Sequence, residues 1–300
     1  MEDKDTPRKI FLQGLVGLGF VGYNTIKTLV DSLEAEVLQD YAEFFPNLSL
    51  IDDGAIENQC CRVYHKTYEE RDYYLLNGPQ PRSDELASLF LQKFISDYRT
   101  LEEGSGPVDL YISFGAFVTS MLTPEEMELG LDLKVATPED IAEAVLKYEV
   151  EKPRRLFVAT CGPLGFDTVA TMAGDAEQVV KETQGYISGL NGVLPALIGE
   201  RLKTPTATIM VETTLTEAGR MSSQSAPALT QFLGLVSTKR ALEFLRQAFG
   251  LDLQLDEKVA KLIEEIQPHA KEDLLTGLTF GEAEQEKERT ENDFRDKMYI

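Results

Sequence analysis

The chain has 300 residues, 43% of them hydrophobic, so it can bury the core of one large α/β domain or two smaller ones. Its 51 acidic and 29 basic residues give a formal charge of −22, and the sequence has no basic patch, which argues against a nucleic-acid partner. Its charged N-terminus lacks a signal-peptide pattern and no apolar run matches a membrane span, so we expect a cytoplasmic protein without a membrane partner.

The N-terminal part alternates apolar runs with a helical pattern. A strand is predicted at 9–16, a helix from Val21 and a second strand at 35–41. Residues 48–77 have extended character and are predicted as a β-rich insertion, with one hairpin at Asp53-Gly54 and another turning at Glu69-Glu70. After Pro81, a long apolar stripe with Ser83 as N-cap predicts a helix.

The central part predicts the fold class. Apolar runs at 109–118, 154–162 and 206–214 are predicted as buried parallel strands, with helices at "TPEDIAEAVLKYE" and "NGVLPALIGERL" between them. This alternation is typical of an α/β protein with a three-layer α/β/α sandwich.

The C-terminal part is predicted to be helical and then polar. We expect one long helix, or two joined near Gly234, and then an amphipathic helix ended by Pro268. More than half of residues 281–297 are charged, which predicts a solvated, mobile segment or a frayed helix. The expected division is an α/β/α domain at 1–250, a helical extension at 251–280 and a charged tail at 281–300.

A glycine-rich turn joins the first strand to the first helix. Gly17, Gly19 and Gly22 form a full G-x-G-x-x-G, and Asp40 lies where a dinucleotide-binding fold places its ribose-binding acid. In such folds the helix N-terminus also binds pyrophosphate. The alternative is a turn whose glycines only allow close packing, and the β-rich insertion favours it because that insertion interrupts the βαβαβ unit. The pattern alone leaves both interpretations open.

Four segments of the sequence carry a wider resemblance: "GLVGLGFVG", "EFFPNLSLIDDGAI", "RVYHKTYEERDYYLLNGPQP" and "GYISGLNGVLPALIGE". In this order, over roughly residues 9–250, they resemble the proteasome assembly chaperone 2 family, particularly its archaeal members. The most specific pieces are 43–46 with Asp53-Gly54, and 189–192. The resemblance implies a phosphorylase/hydrolase-like sandwich rather than a Rossmann fold, a homo-oligomer, and glycines that pack strand against helix. The segment 119–153 is longer than the family pattern.

Family members that act on proteasomes end in a hydrophobic-tyrosine-any-residue motif, which Met298-Tyr299-Ile300 fits. The resemblance implies that Met298 enters an apolar part of the pocket between proteasome α subunits, that Tyr299 packs at its wall, and that the Ile300 carboxylate pairs with a lysine. The implied function is a non-enzymatic chaperone or adaptor of the core particle, without a cofactor, that aids assembly, gate opening or both. The alternative is an enzyme or sensor that binds a nucleotide or other small molecule at the glycine turn.

Other residues are weaker candidates. Cys161, at a predicted strand end, would need His65 as its base to act as a nucleophile, and a buried structural role is the simpler interpretation. Asn191 and Gly192 are candidate ligand contacts, although an N-cap role explains Asn191 more simply.

Metal binding is not expected. Glu212 with Asp52 or Asp53 is a weak candidate set of carboxylate ligands, and the two histidines and three cysteines form no recognisable zinc site. The cysteines form no C-x-x-C pair or disulfide framework, which suits a reducing compartment, and the pair Cys60-Cys61 has no assigned mechanism.

Overall fold

Strands and helices alternate along most of the chain. The structure, a computed structural model, describes residues 7–45, 49–52, 55–58, 60–120, 127, 129–181, 187, 189–215, 226–251 and 257–276. The strands are β1 Lys9–Leu15, β2 Glu36–Asp40, β3 Ser49–Asp52, β4 Ala55–Asn58, β5 Arg62–Tyr68, β6 Arg71–Gly78, β7 Leu110–Ser120, β8 Leu156–Cys161, β9 Val179–Lys181 and β10 Thr206–Leu215. The α-helices are α1 Val21–Leu33, α2 Asp84–Ser105, α3 Pro138–Glu151, α4 Phe166–Met172, α5 Leu190–Leu197, α6 Pro227–Phe249 and α7 at 257–276.

Eight strands form one mixed sheet in the order β2-β5-β6-β1-β7-β10-β8-β9. The central strands β6, β1, β7 and β10 are parallel. The run at 154–162 was predicted as another parallel strand, which is wrong, because β8 pairs antiparallel with β10. A buried apolar run does not indicate the direction of its strand. The direction depends on the segment that connects the strand to the one before it, and β8 runs opposite to β10.

The β-rich region is only partly an insertion. β3 and β4 pair as a separate hairpin, with Asp52 opposite Ala55, and the predicted turn residues Asp53-Gly54 lie outside the described residues. β5 and β6, in contrast, join the main sheet, where β6 lies directly beside β1. The predicted turn between them is confirmed at Glu69 and Glu70, which both have positive φ (45° and 63°), as a tight hairpin turn requires.

The predicted three-layer α/β/α sandwich is confirmed. Alternate residues of each central strand are buried on opposite faces of the sheet, because side chains alternate along a strand. Ile10 and Leu12 of β1 pack with α1, α3, α6 and α7 on one face. Phe11 and Leu15 pack with α2 and α5 on the other, in a cluster rich in aromatic rings. Apolar burial on both faces explains why the central strands are almost continuously hydrophobic.

Both α2 and α3 begin at a side-chain cap, and the N-cap predicted at Ser83 is confirmed. The Ser83 hydroxyl accepts a hydrogen bond from the Leu86 backbone N–H, and Thr137 forms a reciprocal capping box with Asp140. Within the described residues, no helix is long and apolar enough to cross a membrane.

The C-terminal helices differ from expectation at Pro268. α6 is a single helix through Gly234, one of the two predicted arrangements. α7 continues to residue 276, so the prediction that Pro268 ends it is wrong. Val259 and Ile263 before the proline, and Ala270 and Leu274 after it, are all buried in the core, and this packing holds the helix on both sides.

Candidate functional site

The glycine-rich turn brings four backbone segments into direct contact. An ideal Cβ added to Gly14 would lie 1.9 Å from the Gly22 carbonyl oxygen, and one added to Gly22 would lie 2.3 Å from the Phe114 oxygen. A Cβ on Gly234 of α6 would lie 1.7 Å from the Gly19 oxygen. Gly19 also has a φ of 62°, which favours glycine. These glycines therefore allow β1, α1, β7 and α6 to approach one another more closely than any side chain permits.

Gly17 differs from the other motif glycines because it is exposed. It borders a crevice of about 290 Å³ at the carboxyl ends of β1 and β7, where open α/β sheets place ligands. The crevice is lined by Leu15, Gly17, Gly22, Gln80, Gly115, Ala116, Phe117, Val118, Ile187, Asn191, Thr208 and Met210.

A network of buried polar side chains holds Asn191, one of the residues that line the crevice. The Gln13 Nε2 group donates to the Asn191 Oδ1 atom at 3.2 Å and to the Leu190 carbonyl at 3.1 Å. The Tyr111 hydroxyl donates to Gln13 Oε1, and the Ser113 hydroxyl donates to the Asn191 carbonyl at 3.1 Å. Burial raises the pKa of Tyr111 well above its usual range, so the phenol stays protonated and serves as a donor.

The N-cap role predicted for Asn191 is wrong. Gly189, with a φ of 65°, is the N-cap residue of α5, and Asn191 lies buried in the first turn. The Gln80 side chain fixes this helix start, since its Oε1 accepts from the Leu190 N–H at 3.1 Å and its Nε2 donates to the Val16 carbonyl at 2.7 Å. Gly192 packs against the Ile187 backbone, where a Cβ would lie 2.3 Å from the carbonyl oxygen.

The chemistry of the crevice is neutral. None of the described residues that line it is charged or titratable. Asp40, the candidate ribose partner, is on β2, and β5 and β6 separate β2 from β1. With strands about 4.8 Å apart, this places β2 about 14 Å from β1. Asp40 instead pairs with Arg62 at 3.0 Å, and the described residues around the turn offer a pyrophosphate no cation.

Comparison with known proteins identifies the family. A model of the PAC2 family matches residues 11–273. The chain belongs to the PAC2 family. A search of the curated proteins gives no match.

Solved structures with the same fold include proteins of archaea and bacteria. Pyrococcus furiosus PbaB, an archaeal proteasome activator, is 17% identical, with a TM-score of 0.58 over 89% of this chain and 95% of that one. Pyrococcus furiosus PbaA, an archaeal homologue of proteasome-assembly chaperone, is 15% identical, with a TM-score of 0.56 over 98% of this chain and 96% of that one. A proteasome-assembly chaperone homologue of Mycobacterium tuberculosis is 15% identical, with a TM-score of 0.53 over 86% and 94%.

The PAC2-family fold keeps the proposed nucleophile and base apart. Cys161 ends β8, whereas His65 is on β5, and four strands lie between them in the sheet. The His65 ring packs on Tyr74 and its Nε2 lies 3.3 Å from Asp72. The Cys161 side chain packs against Gly199, where an added Cβ would lie 2.7 Å from its Sγ. This packing favours a structural role for Cys161, but the expectation that it is buried is wrong, because the residue is half-buried.

Glu212 is not part of a metal site within the described residues, which contain no cluster of metal-ligating side chains. It lies on β10, whereas Asp52 belongs to the separate hairpin, and Asp53 lies outside the described residues. The Arg155 guanidinium binds both Glu212 carboxylate oxygens, at 3.0 and 3.1 Å. Burial alone would raise the pKa of Glu212, but the Arg155 hydrogen bonds and the nearby positive charges lower it to about 2.

The vicinal cysteines are buried structural residues. The Cys61 thiol lies 2.8 Å from the Pro79 carbonyl, and the Cys60 thiol lies 3.4 Å from the Asp40 carboxylate. Burial and the Asp40 carboxylate raise the pKa of Cys60 to about 11, and burial raises that of Cys61 well above its usual range. Neither thiol is set up to ionise near neutral pH.

The predicted proteasome-binding residues, Met298, Tyr299 and Ile300, lie outside the described residues, as does the whole segment 277–300. The long 119–153 segment is partly described: β7 extends to Ser120, and α3 occupies its second half.

Sequence reasoning missed two groups of polar residues. The Gln13 network was hidden because a single glutamine in an apolar strand has no distinctive pattern. The second group surrounds a buried ion pair between Glu149 and Arg154, 2.7 Å apart, and includes the Thr214 hydroxyl, which donates to Glu149 at 2.9 Å. The adjacent residues Lys152, Arg154 and Arg155 were its only sequence signal.

Proposed function

We propose that this PAC2-family protein is a proteasome assembly chaperone or adaptor that binds α subunits of the core particle through Met298, Tyr299 and Ile300. Its support is the family assignment, the shared fold with proteins named as proteasome activators and assembly-chaperone homologues, and the terminal sequence. The proposal that the chain docks through its tail is based on the tripeptide alone. Met298 and Tyr299 match the hydrophobic residue and the tyrosine of the family's proteasome-binding motif, whose last position can be any residue.

Each residue of the tripeptide has a physical role in this proposal. Met298 adapts to an irregular apolar pocket between α subunits. Tyr299 provides a large buried area at low entropic cost, with a hydroxyl that forms a hydrogen bond at the pocket wall. The Ile300 carboxylate forms a charge-assisted hydrogen bond with a lysine of the pocket.

The tail also supplies the reach that docking needs. About 24 residues follow residue 276, and as a coil they would span about 24–29 Å. A single tripeptide buries little area and binds weakly. A homo-oligomer would present several tails to a ring with several equivalent pockets, and the raised effective concentration would strengthen binding by about two orders of magnitude or more.

The neutral crevice supports a non-enzymatic function. None of its described lining residues is charged or titratable, and the described part of the chain contains no metal-ligating cluster. Most of the motif glycines are in backbone contact, which explains their presence without a nucleotide. We therefore favour protein binding over the nucleotide-binding alternative.

The test compares the unmodified chain with Tyr299→Ala, with Tyr299→Phe and with deletion of residues 298–300. Binding to α-subunit rings and peptide hydrolysis by the assembled core particle are measured for each. We expect the alanine variant and the deletion to abolish detectable binding, and the phenylalanine variant to weaken it about five- to tenfold, because it removes one hydrogen bond. Phe294→Ala is the matched control, since it removes a tail aromatic outside the motif. Unchanged binding by both the alanine variant and the deletion would refute the docking proposal.

Two readouts separate the two forms of the function. An activator increases peptide hydrolysis by a preassembled core particle, whereas an assembly factor increases the yield of α rings from free subunits. If Tyr299→Ala loses only the increase in peptide hydrolysis, the tail acts in activation. If it loses only the increase in α-ring yield, the tail acts in assembly.

A further inference from the structure

A cationic cleft lies on the helical face opposite the aromatic cluster, between α6 and the segment that joins α3 to β8. Its volume is about 440 Å³. Five of its lining residues are cationic: Lys152, Arg154, Lys239, Arg240 and Arg246. The cleft also contains Asp175 and Glu243, so its lining carries a surplus of positive charge in a chain whose net charge is −22.

Two separate stretches of sequence supply the cations of the cleft. On α6, Lys239, Glu243 and Arg246 follow one another at spacings of four and three residues, which places them on one helix face. Lys152 and Arg154 follow the last residue of α3 and precede β8. The sequence has no continuous basic patch, and the concentration of charge arises only because the fold brings these stretches together.

The two buried arginines are only partly satisfied by protein groups. Arg154 donates to the Glu149 carboxylate at 2.7 Å, and Arg240 donates through Nε to the Arg154 carbonyl at 3.2 Å and through Nη1 to Glu243 at 2.8 Å. Both residues are more than nine-tenths buried, with exposed fractions of 4% and 8%. Arg154 Nε and Arg240 Nη2 have no hydrogen-bond partner among the described residues. Buried donors without an acceptor are rare, because each costs free energy.

Lys239 adds an available cation. It is half-buried in the cleft wall, and within the described part of the chain its ammonium forms no ion pair. Lys152 is already engaged with Glu212 at 3.5 Å. The cleft thus combines two buried guanidinium groups in its lining with a lysine on its wall, and the two unpartnered nitrogen atoms lie beneath the accessible surface.

We propose that this cleft binds a phosphate group carried by a small molecule or present as the free ion. Guanidinium groups match the tetrahedral oxyanion with directed donors, and a dianion offsets the charge surplus better than a single carboxylate does. The volume is larger than one phosphate ion and falls in the range of metabolite sites. The proposal is independent of the proposed proteasome function, since none of the described residues that line the cleft belongs to the glycine turn and the proposal uses no residue of the tail.

Isothermal titration calorimetry of the full chain tests the proposal with inorganic phosphate, ribose 5-phosphate and ribose at an ionic strength held constant with sodium chloride. We expect both phosphates to bind and ribose not to bind. Tighter binding of ribose 5-phosphate than of inorganic phosphate would assign the site to a phosphorylated molecule, and equal binding would assign it to the free ion. Failure of both phosphates to bind, or binding of ribose as tight as that of its phosphate, would overturn the proposal. So would binding of a hexaglutamate peptide when neither phosphate binds.

Three variants locate the binding. Lys239→Gln should weaken phosphate binding about tenfold, the loss expected for one charge-assisted contact. Glu243→Gln should strengthen it, because it removes a negative charge from the cleft and leaves Arg240 Nη1 with at most a neutral acceptor. Lys261→Gln, an exposed lysine on α7, is the matched control and should change nothing. Equal affinities for all three variants, each with an unchanged circular dichroism spectrum, would place the phosphate elsewhere and refute the cleft assignment.

Discussion

Replacing Gly22 by alanine tests whether the glycine motif serves close packing or ligand binding, because the two interpretations predict opposite changes in the free energy of unfolding. Gly22 lies in α1, and in an ordinary helix glycine to alanine stabilises by about 1 kcal/mol. If the glycine served only to admit a ligand phosphate, the unliganded variant would show that gain. If it serves packing, the new Cβ meets backbone atoms of β7 and the variant is destabilised.

The structure gives the size of the effect. The Cβ would lie 2.3 Å from the Phe114 carbonyl oxygen and 3.0 Å from its carbon. Contacts below 3.0 Å are not sustained, so helix and strand must separate by at least about 0.7 Å in a close-packed core. Overpacking of this kind costs about 3 kcal/mol at the upper end of its usual range. After the helix-propensity gain, we expect a net loss of about 2 kcal/mol.

Thermal and urea unfolding measure this change. At roughly 2–4 °C per kcal/mol for a domain of this size, Gly22→Ala should lower the midpoint by roughly 4–8 °C. Gly115→Ala in β7 is the matched control, since its nearest neighbour would be the flexible Met210 side chain at 4.0 Å. A Gly22→Ala variant as stable as the Gly115→Ala variant, or more stable than the unmodified protein, would refute the packing account.

Three further predictions concern stability. The pKa of Glu212 is lowered from 4.5 to about 2, so the ionised carboxylate stabilises the fold fully above pH 4.5, and this stabilisation is lost as the pH falls towards 2. We expect the free energy of unfolding to fall by about 1–3 kcal/mol in that window. In Glu212→Gln the free energy of unfolding should depend less on pH there. Glu149→Gln leaves the buried Arg154 charge without its counter-ion and should cost about 3–5 kcal/mol in urea unfolding, whereas a loss below 1 kcal/mol would contradict a buried ion pair. Glu34, an exposed residue with a φ of 51° at the end of α1, should stabilise when replaced by glycine, by about 0.5–1 kcal/mol, and a lower melting midpoint would contradict this.

Local patterns predicted the elements that depend on local physics. The β1 strand and the helices α1, α2 and α3 follow from apolar periodicity, and the start of α2 follows from its N-cap Ser83. The turn at Glu69-Glu70 was also found, because two alternating β runs with a two-residue gap leave little other choice. The α/β/α class followed from the order of these elements.

Features that depend on distant contacts were not accessible from the sequence. The direction of β8, the helix through Pro268 and the place of Asn191 inside α5 are each set by what packs against them. The cationic cleft is a similar case, since Lys152 and Lys239 are 87 positions apart in the chain and are brought to one cavity by the fold. The tail motif, in contrast, was recognised from sequence resemblance alone.

The central claim is that the last three residues connect this PAC2-family protein to the proteasome core particle. Its most direct test is the equilibrium dissociation constant for purified α-subunit rings, measured for the full chain and for the chain without Met298, Tyr299 and Ile300. We predict that removal of the three residues weakens binding at least a hundredfold, because the anchor and the multivalent gain are lost together. Equal dissociation constants for the two chains, or failure of the full chain to bind the rings at all, would contradict the claim.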